Sequence, residues 1–224
     1  YPGEVNEREF RSVWNQAWFS SLRSAGGLYR YARRTGNRTL MEKALLTKEL
    51  ALSFPQVEGF FYGLIGTEMH EVEIEGRKYN RSKGWDACYW GNSNRNPYTW
   101  NAAESPFHIL DMSWTALLML RWYDELEKDE RLLRYAEQYA GSLLGIQSEN
   151  GFFPGWLDLR TLQPMTHLNE SPETSMSVTF LLKLYELTGK QEYKEAGLKA
   201  IDAVIRDIIP SGRWEDFETY WSCS

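Results

Sequence analysis

Clustered positive charge is missing from this chain. Its 25 Lys and Arg stand against 31 Asp and Glu, for a net charge of −6, and neutralising a phosphate backbone takes grouped cations. No nucleic-acid partner is expected. Nor does any stretch approach the roughly 18 consecutive apolar residues of a membrane span, so no membrane partner is expected either. The opening Tyr1-Pro2-Gly3-Glu4 has neither a signal-peptide pattern nor an initiator Met, which reads as a processed N-terminus or a cut piece. Cysteine is scarce: Cys88 and Cys223 lie far apart, so a disulfide-held fold is not expected, and both their pairing and the redox compartment stay open. His70, His108 and His167 lack the close spacing of a helical zinc site. No Walker or dinucleotide glycine pattern occurs, and the adjacent Gly26-Gly27 fits neither. No metal and no cofactor are expected.

What is present is a chain of 224 residues, 42% hydrophobic and 25% charged, a balance that fits one compact domain with a sizeable core. Ten Trp and thirteen Tyr are unevenly placed, several of them in the Gly, Asn and Pro-rich stretch from Gly84 to Trp100. Aromatics in loops either build binding platforms or pack the loops onto the domain.

Aligning Gly59, Gly151 and Gly212, at spacings of 92 and 61 residues, superposes Gly59-Phe60-Phe61, Gly151-Phe152-Phe153 and Gly212-Arg213-Trp214. The same offsets bring Thr35-Gly36-Asn37 onto Thr188-Gly189-Lys190, with Glu127-Lys128-Asp129 between them. Each unit reads helix, short turn, helix, then a glycine-aromatic loop, giving repeats of about 10–61, 108–153 and 172–214. Leu132, Leu133, Ala136, Tyr139, Ala140, Leu143 and Leu144 follow a one-sided helical stripe. So do Tyr193, Ala196, Gly197, Ala200, Ile201, Val204, Ile205 and Ile208, which predicts outer helices. Trp114 to Tyr123 and Val178 to Leu187 are apolar nearly all round, which predicts an inner layer covered on every side. The first repeat is expected as helices over 10–34 and 38–54. Short turns near Gly36, Lys128 and Gly189 send the longer loops, 55–107, 146–171 and 209–224, to the opposite face. Alternation around Glu75-Gly76 predicts a small β-hairpin over 71–79.

The paired Glu-Ser-Pro segments, Glu104-Ser105-Pro106 and Glu170-Ser171-Pro172, belong to this pattern, as do the run from Leu184 to Tyr193 and the loop Gly151-Phe152-Phe153-Pro154-Gly155-Trp156. Together they resemble the six-hairpin glycosidase superfamily, whose fold is an (α/α)6 toroid. The likeness covers most of the chain and is strongest from Glu104 to Trp214. Its motifs specify architecture rather than a substrate. The resemblance implies an all-α fold of antiparallel helical hairpins forming part of a toroid, and a carbohydrate substrate. It slightly favours a secreted or periplasmic setting. Six hairpins of about 60 residues would need roughly 360 residues, so three make half a ring unless the fold is an open variant. The ending from Glu218 to Ser224 stops in an aromatic loop, which reads as truncation.

Glycoside hydrolysis needs two carboxyl groups flanking the scissile bond. The loop face offers Asp86, Glu104, Asp111, Asp158, Glu170, Glu173, Glu215, Asp216 and Glu218. Ser105-Pro106 and Ser171-Pro172 fit an N-cap serine followed by proline at the first helical position. On that reading Glu104 and Glu170 stand at the mouth of the ring, and Asp111 and Glu173 in or near the first turns of the inner helices. Each acid has an ordinary structural reading too, as a dipole partner or a solvated loop charge. Asp86, set among Trp85, Tyr89 and Trp90, is either a desolvated acid or a turn cap. The catalytic candidates are Glu170, Glu173, Glu104, Asp111 and Asp86. The substrate-contacting candidates are Trp85, Trp90, Trp100, Trp156, Trp214, His108 and His167.

Three functions follow in order. The first is a glycoside hydrolase working across the mouth of the toroid. The second is an epimerase or polysaccharide lyase with a His or Tyr base, served by a local basic group such as Arg77, Lys78, Arg81 and Lys83. The third is a helical-repeat module that binds a glycan or peptide and performs no chemistry.

Overall fold

In the computed structural model, which describes residues 12–17 and 22–216, six main helices follow one another in three pairs. They are α1 (Leu22–Thr35) with α2 (Arg38–Leu52), α3 (Ile109–Glu125) with α4 (Glu130–Gly145), and α5 (Thr174–Thr188) with α6 (Gln191–Ala203). The links are residues 36–37, 126–129 and 189–190, too short for anything but antiparallel neighbours. Local chemistry fixes these corners. Asn37 accepts a bond from Leu40 N and Asp129 one from Arg131 N, while Gly189 ends α5 in the left-handed conformation at φ 72°. The second helices start at Arg38, Glu130 and Gln191, at the same spacings as the three glycine loops.

The central helix, α3, packs against α1, α4 and α5 and is buried along most of its length, as its all-round apolar surface demands. Helix α5 is different. Val178, Phe180, Leu181 and Leu184 are buried, whereas Leu182, Tyr185 and Leu187 are only partly covered, because no further hairpin lies beyond α5 among the described residues. Helix α4 buries the expected stripe through Leu132, Ala136, Tyr139, Ala140 and Leu143. Beyond α6 the stripe breaks: Ile205 is 53% exposed. A π-helical turn over Val204–Ile208 winds wider than an α-helix and shifts the side-chain phase, so Ile208 turns inward instead.

Small antiparallel sheets occupy the ends of the hairpins. Strand β1 (Ser12–Asn15) pairs with β4 (Leu64–Thr67), which also pairs with β7 (Cys88–Gly91), while β2 (Gln56–Val57) pairs with β3 (Phe60–Phe61). The hairpin expected over 71–79 is present and longer, as β5 (Met69–Ile74) and β6 (Arg77–Ser82) turning at Glu75-Gly76. Helix α1 begins at Leu22 rather than near residue 10, since Trp14 and Asn15 are committed to pairing with Ile65 and Leu64. At the short-turn end, the buried Lys48 of α2 donates to Glu127 Oε2 at 2.7 Å and Asp129 Oδ2 at 2.8 Å, joining the first hairpin to the second. Burial lowers the lysine's pKa, but the two carboxylates outweigh it and the net shift is upward.

The glycine loops are set by sterics. At Gly151 φ is 106°, and a Cβ would lie 2.6 Å from Lys199 O of α6. Gly151→Ala therefore combines a disfavoured backbone with a collision against main chain. The expected loss is about 2 to 4 kcal/mol of unfolding free energy, read as a lower urea midpoint. Gly27→Ala, with open space around its Cβ position, is expected to move that midpoint little.

Candidate active site

The inner helices α3 and α5 begin side by side, and the candidate site lies where they start. The chain does not enter α3 through a serine cap. Phe107 and His108 form strand β8, which pairs with β9 (Trp156–Leu157), with His108 opposite Trp156. This extended pairing delays the helix to Ile109, whose N–H donates to Gly155 O at 3.0 Å. Ser105 is buried in the preceding loop, accepting from Asn96 Nδ2 at 3.1 Å and donating to Asn101 O at 3.0 Å. At α5 the serine comes closer to expectation. Ser171 Oγ accepts from Glu173 N at 3.2 Å, and three-residue turns from Ser171 to Glu173 lead into the helix at Thr174.

Both ring nitrogens of His108 face carboxylates. Nδ1 lies 3.1 Å from Asp111 Oδ2, one turn along α3, and Nε2 lies 3.4 Å from Glu173 Oε2 at the head of α5. The two acids are therefore at most about 9 Å apart, within the roughly 5 to 9.5 Å spread of glycosidase carboxyl pairs. All three side chains are nearly buried; that of Asp111 is the most open, at 11%. The imidazole also stacks on the buried Trp156 indole, with centroids 4.9 Å apart and planes 11° from parallel. Burial alone would depress the His108 pKa. The charge and hydrogen bond of Asp111, then those of Glu173, reverse this and raise it to about 10. The ring is charged at neutral pH and donates from both nitrogens.

A hydroxyl network ties the same two helices together. Ser113 Oγ is 2.8 Å from Tyr139 Oη and 2.9 Å from Ser177 Oγ, and Tyr139 Oη lies 3.3 Å from Ile109 O as donor. It bonds α3 to both α4 and α5, which holds the two acid-bearing helices at a fixed separation. Buried hydroxyls without such partners would cost free energy in the core.

The other residues singled out in the sequence divide sharply. Trp156 belongs to the site. His167 is linked to it through Tyr98, whose ring meets both His167 and Trp156 edge-on and whose hydroxyl accepts from His167 N at 3.1 Å. Tyr98 drew no attention in sequence, because its partners lie 58 and 69 residues away. Glu170 is exposed and accepts from Asn150 Nδ2 at 2.5 Å. Glu104 is exposed in the loop before β8. Asp86 is exposed on a 3-10 turn, Gly84–Ala87, so the aromatics around it in sequence do not desolvate it. Trp85, Trp90, Trp100 and Trp214 present 39% to 62% of their surface. Asp158 is bound by the turn it caps, accepting from Arg160 N and Thr161 N. Glu215 is exposed and Asp216 partly so. Glu218 and Cys223 lie outside the described residues, and Cys88 is exposed. Among the described residues no group of His, Cys, Asp and Glu is arranged to hold a metal ion, and no helix is long and apolar enough to cross a membrane.

No protein-family model and no curated protein matches the sequence. Solved structures do match the fold. The Lin0763 protein of Listeria innocua superposes with a TM-score of 0.55 at 14% identity, over 95% of this chain and 51% of that one. A UGL variant recorded with dGlcA-Glc-Rha-Glc gives 0.61 at 14% identity, over 92% and 49%. A possible member of the GH105 family from Salmonella enterica serovar Paratyphi A gives 0.53 at 15%, over 84% and 43%. The likeness is one of fold: the helical framework here is shared with these structures, and the chain spans about half the length of the first two.

Proposed function

We propose that the protein is a carbohydrate-active enzyme of the glycoside hydrolase type, acting on an oligosaccharide at the N-terminal ends of α3 and α5. One observation carries this reading: Asp111 and Glu173 meet on opposite nitrogens of a single buried imidazole. Such a unit holds two carboxyl groups and one cation, so a proton taken up by Asp111 leaves a neutral His108–Glu173 pair in the core. Asp111, the most open of the three, is the group that exchanges a proton at the sugar or its attacking water. Glu173 is the second carboxyl of the pair, and His108 is a positioning residue that holds both acids in place. Trp156 backs the ring and excludes solvent from one of its faces.

The fold likeness supports a sugar substrate, since one of the matching structures holds an oligosaccharide. Lyase and epimerase chemistry with His108 as the base is less favoured here. A ring held charged up to about pH 10 has no free lone pair with which to accept a proton. A purely binding module would have no need of a buried carboxylate pair.

Product chemistry tests the proposal. Incubation with a panel of neutral and uronide-containing oligosaccharides is expected to release new reducing ends without creating new unsaturated uronide groups. Ultraviolet absorbance that grows with cleavage would assign a lyase instead. Binding of sugars with no cleavage across the panel would assign the non-catalytic module.

A further inference from the structure

The β5–β6 hairpin stands clear of the helices. Its strands pack chiefly on each other, and every residue from 73 to 81 is exposed. The turn at Glu75-Gly76 has positive φ at both positions, 51° and 75°, as a tight turn matched to the twist of a two-stranded ribbon requires. The chemistry proposed for Asp111 and Glu173 makes no use of it.

Opposed residues of an antiparallel pair share a face, and the face alternates along each strand. The register sets His70 against Arg81, Val72 against Tyr79 and Ile74 against Arg77 on one face, and Glu71 against Asn80 and Glu73 against Lys78 on the other. The charges are thereby sorted. Both glutamates of β5 lie on the second face, where Lys78 Nζ is 2.8 Å from Glu71 Oε1. Arg77 and Arg81 lie on the first, which carries no acid. Of the basic residues grouped in this stretch, Lys83 is also engaged, 2.7 Å from Glu68 Oε2, whereas no described carboxylate pairs with Arg77 or Arg81. Tyr79 stands between the two arginines and is 39% exposed, and Ile74 is 41% exposed. Charge on an exposed ribbon protects its edges from chance pairing, but that purpose does not require acids on one face and arginines around an aromatic ring on the other.

We infer that the Arg77–Tyr79–Arg81 face is a docking surface for a polymer of carboxylate-bearing sugars, separate from the Asp111–His108–Glu173 site. The planar fork of a guanidinium matches the two oxygens of a carboxylate, and the apolar face of a sugar ring stacks on a tyrosine. Along β6 the two arginines lie about 13 Å apart with Tyr79 midway, so a run of sugars laid along the strand meets all three. A nucleic acid would need more grouped cations than two arginines supply. At about 0.1 M salt, screening beyond roughly 10 Å keeps the net negative charge of the chain from cancelling this local attraction. That the polymer is a saccharide rests on the function proposed above; that it is an anion rests on the hairpin alone. The base of the hairpin is tied to the frame that carries His108. Gly63 N, just before β4, donates to Asn92 Oδ1 at 2.9 Å, and Asn92 Nδ2 donates at 3.0 Å to the carbonyl of Ser105, three residues ahead of His108.

The test is binding, which needs no cleavage. Native gels of the whole 224-residue chain at neutral pH and moderate salt are expected to show retardation by embedded polygalacturonate and none by neutral dextran. Arg77→Gln combined with Arg81→Gln is expected to weaken the affinity about tenfold or more. Asn80→Ala, on the opposite face, is expected to leave it within about twofold. Both variants are expected to keep the parent circular dichroism and the parent rate on short oligosaccharides. No retardation by polygalacturonate, equal retardation by dextran, or undiminished retardation of the double arginine variant overturns the inference. Tighter binding of a single-stranded oligonucleotide or of phosphatidylserine vesicles, lost in the same double variant, gives the face to another anion and overturns the choice of a saccharide. Polygalacturonate binding that depends on the two arginines, in a protein that cleaves no sugar, upholds the docking surface and counts against the hydrolase.

Discussion

Glu173→Gln and Asp111→Asn are each expected to lower kcat on a cleaved oligosaccharide by about 10² to 10⁴-fold, the range typical of losing a positioned acid or base. Both amides keep the shape of the original side chain but cannot carry its charge, so the effect isolates chemistry from packing. Glu170→Gln is the control. Glu170 is exposed, and its observed partner is the Asn150 amide, so its rate is expected to stay within about twofold of the parent. Initial-rate kinetics on one substrate for all three variants decides the matter. Full activity in either Glu173→Gln or Asp111→Asn would remove that residue from the chemistry.

His108→Ala is expected to be the most destabilising of the changes considered, by about 3 to 5 kcal/mol near neutral pH, because it leaves two nearly buried carboxylates facing one another without their cation. The same residue should govern the alkaline limb of stability. Its pKa is about 10 in the folded protein against 6.5 for a free imidazole, so the folded state binds the proton more tightly. The resulting stabilisation is complete below about pH 6.5 and is lost as the pH rises to about 10. Urea unfolding at several pH values between these limits should show the parent losing a few kcal/mol, while His108→Ala shows a much flatter profile. Parallel profiles would mean that the imidazole is not held charged. His108→Gln, which retains a hydrogen-bond donor, tests whether donation without charge recovers part of the loss.

Much of the framework could be read directly from residue order. The apolar stripe of α4 and the all-round apolar surface of α3 are periodic signals within single helices, and the spacing of Gly59 and Gly151 marks places where the chain must take positive φ against the next helix. Strand β1 was not legible, because Ser12–Asn15 becomes a strand only by pairing with residues about fifty positions later. The starting point of α3 was obscured for the same reason: the β8–β9 pairing overrides a good capping sequence at Ser105-Pro106.

The site was half legible. Asp111 lies three residues after His108, one helical turn, which is a local signal. Glu173 is 65 residues from His108, and only the packing of α3 on α5 makes the pair. The Glu-Ser-Pro likeness drew Glu104 and Glu170 forward as strongly as Glu173, since composition cannot distinguish an exposed acid from a buried one. Loop aromatics are equally hard to tell apart in sequence: Trp156 is buried behind His108, while Trp85 and Trp100 are exposed.

Two glutamines fasten adjacent hairpins, Gln56 donating to Gly59 O and Tyr135 O and Gln147 to Gly151 O and Ala196 O, and they bear on how cooperatively the molecule comes apart. Each fastening joins only adjacent units, so the free energy of the array is close to a sum of neighbour terms, as in a one-dimensional chain of coupled switches. The middle hairpin, α3 with α4, receives Gln56 on one side and sends out Gln147 on the other, whereas among the described residues each flanking hairpin shares one such fastening. Opening fluctuations then start at the flanks and stop at the middle, which places His108 and Asp111 at the head of the slowest-opening helix and Glu173 at the head of one that opens sooner.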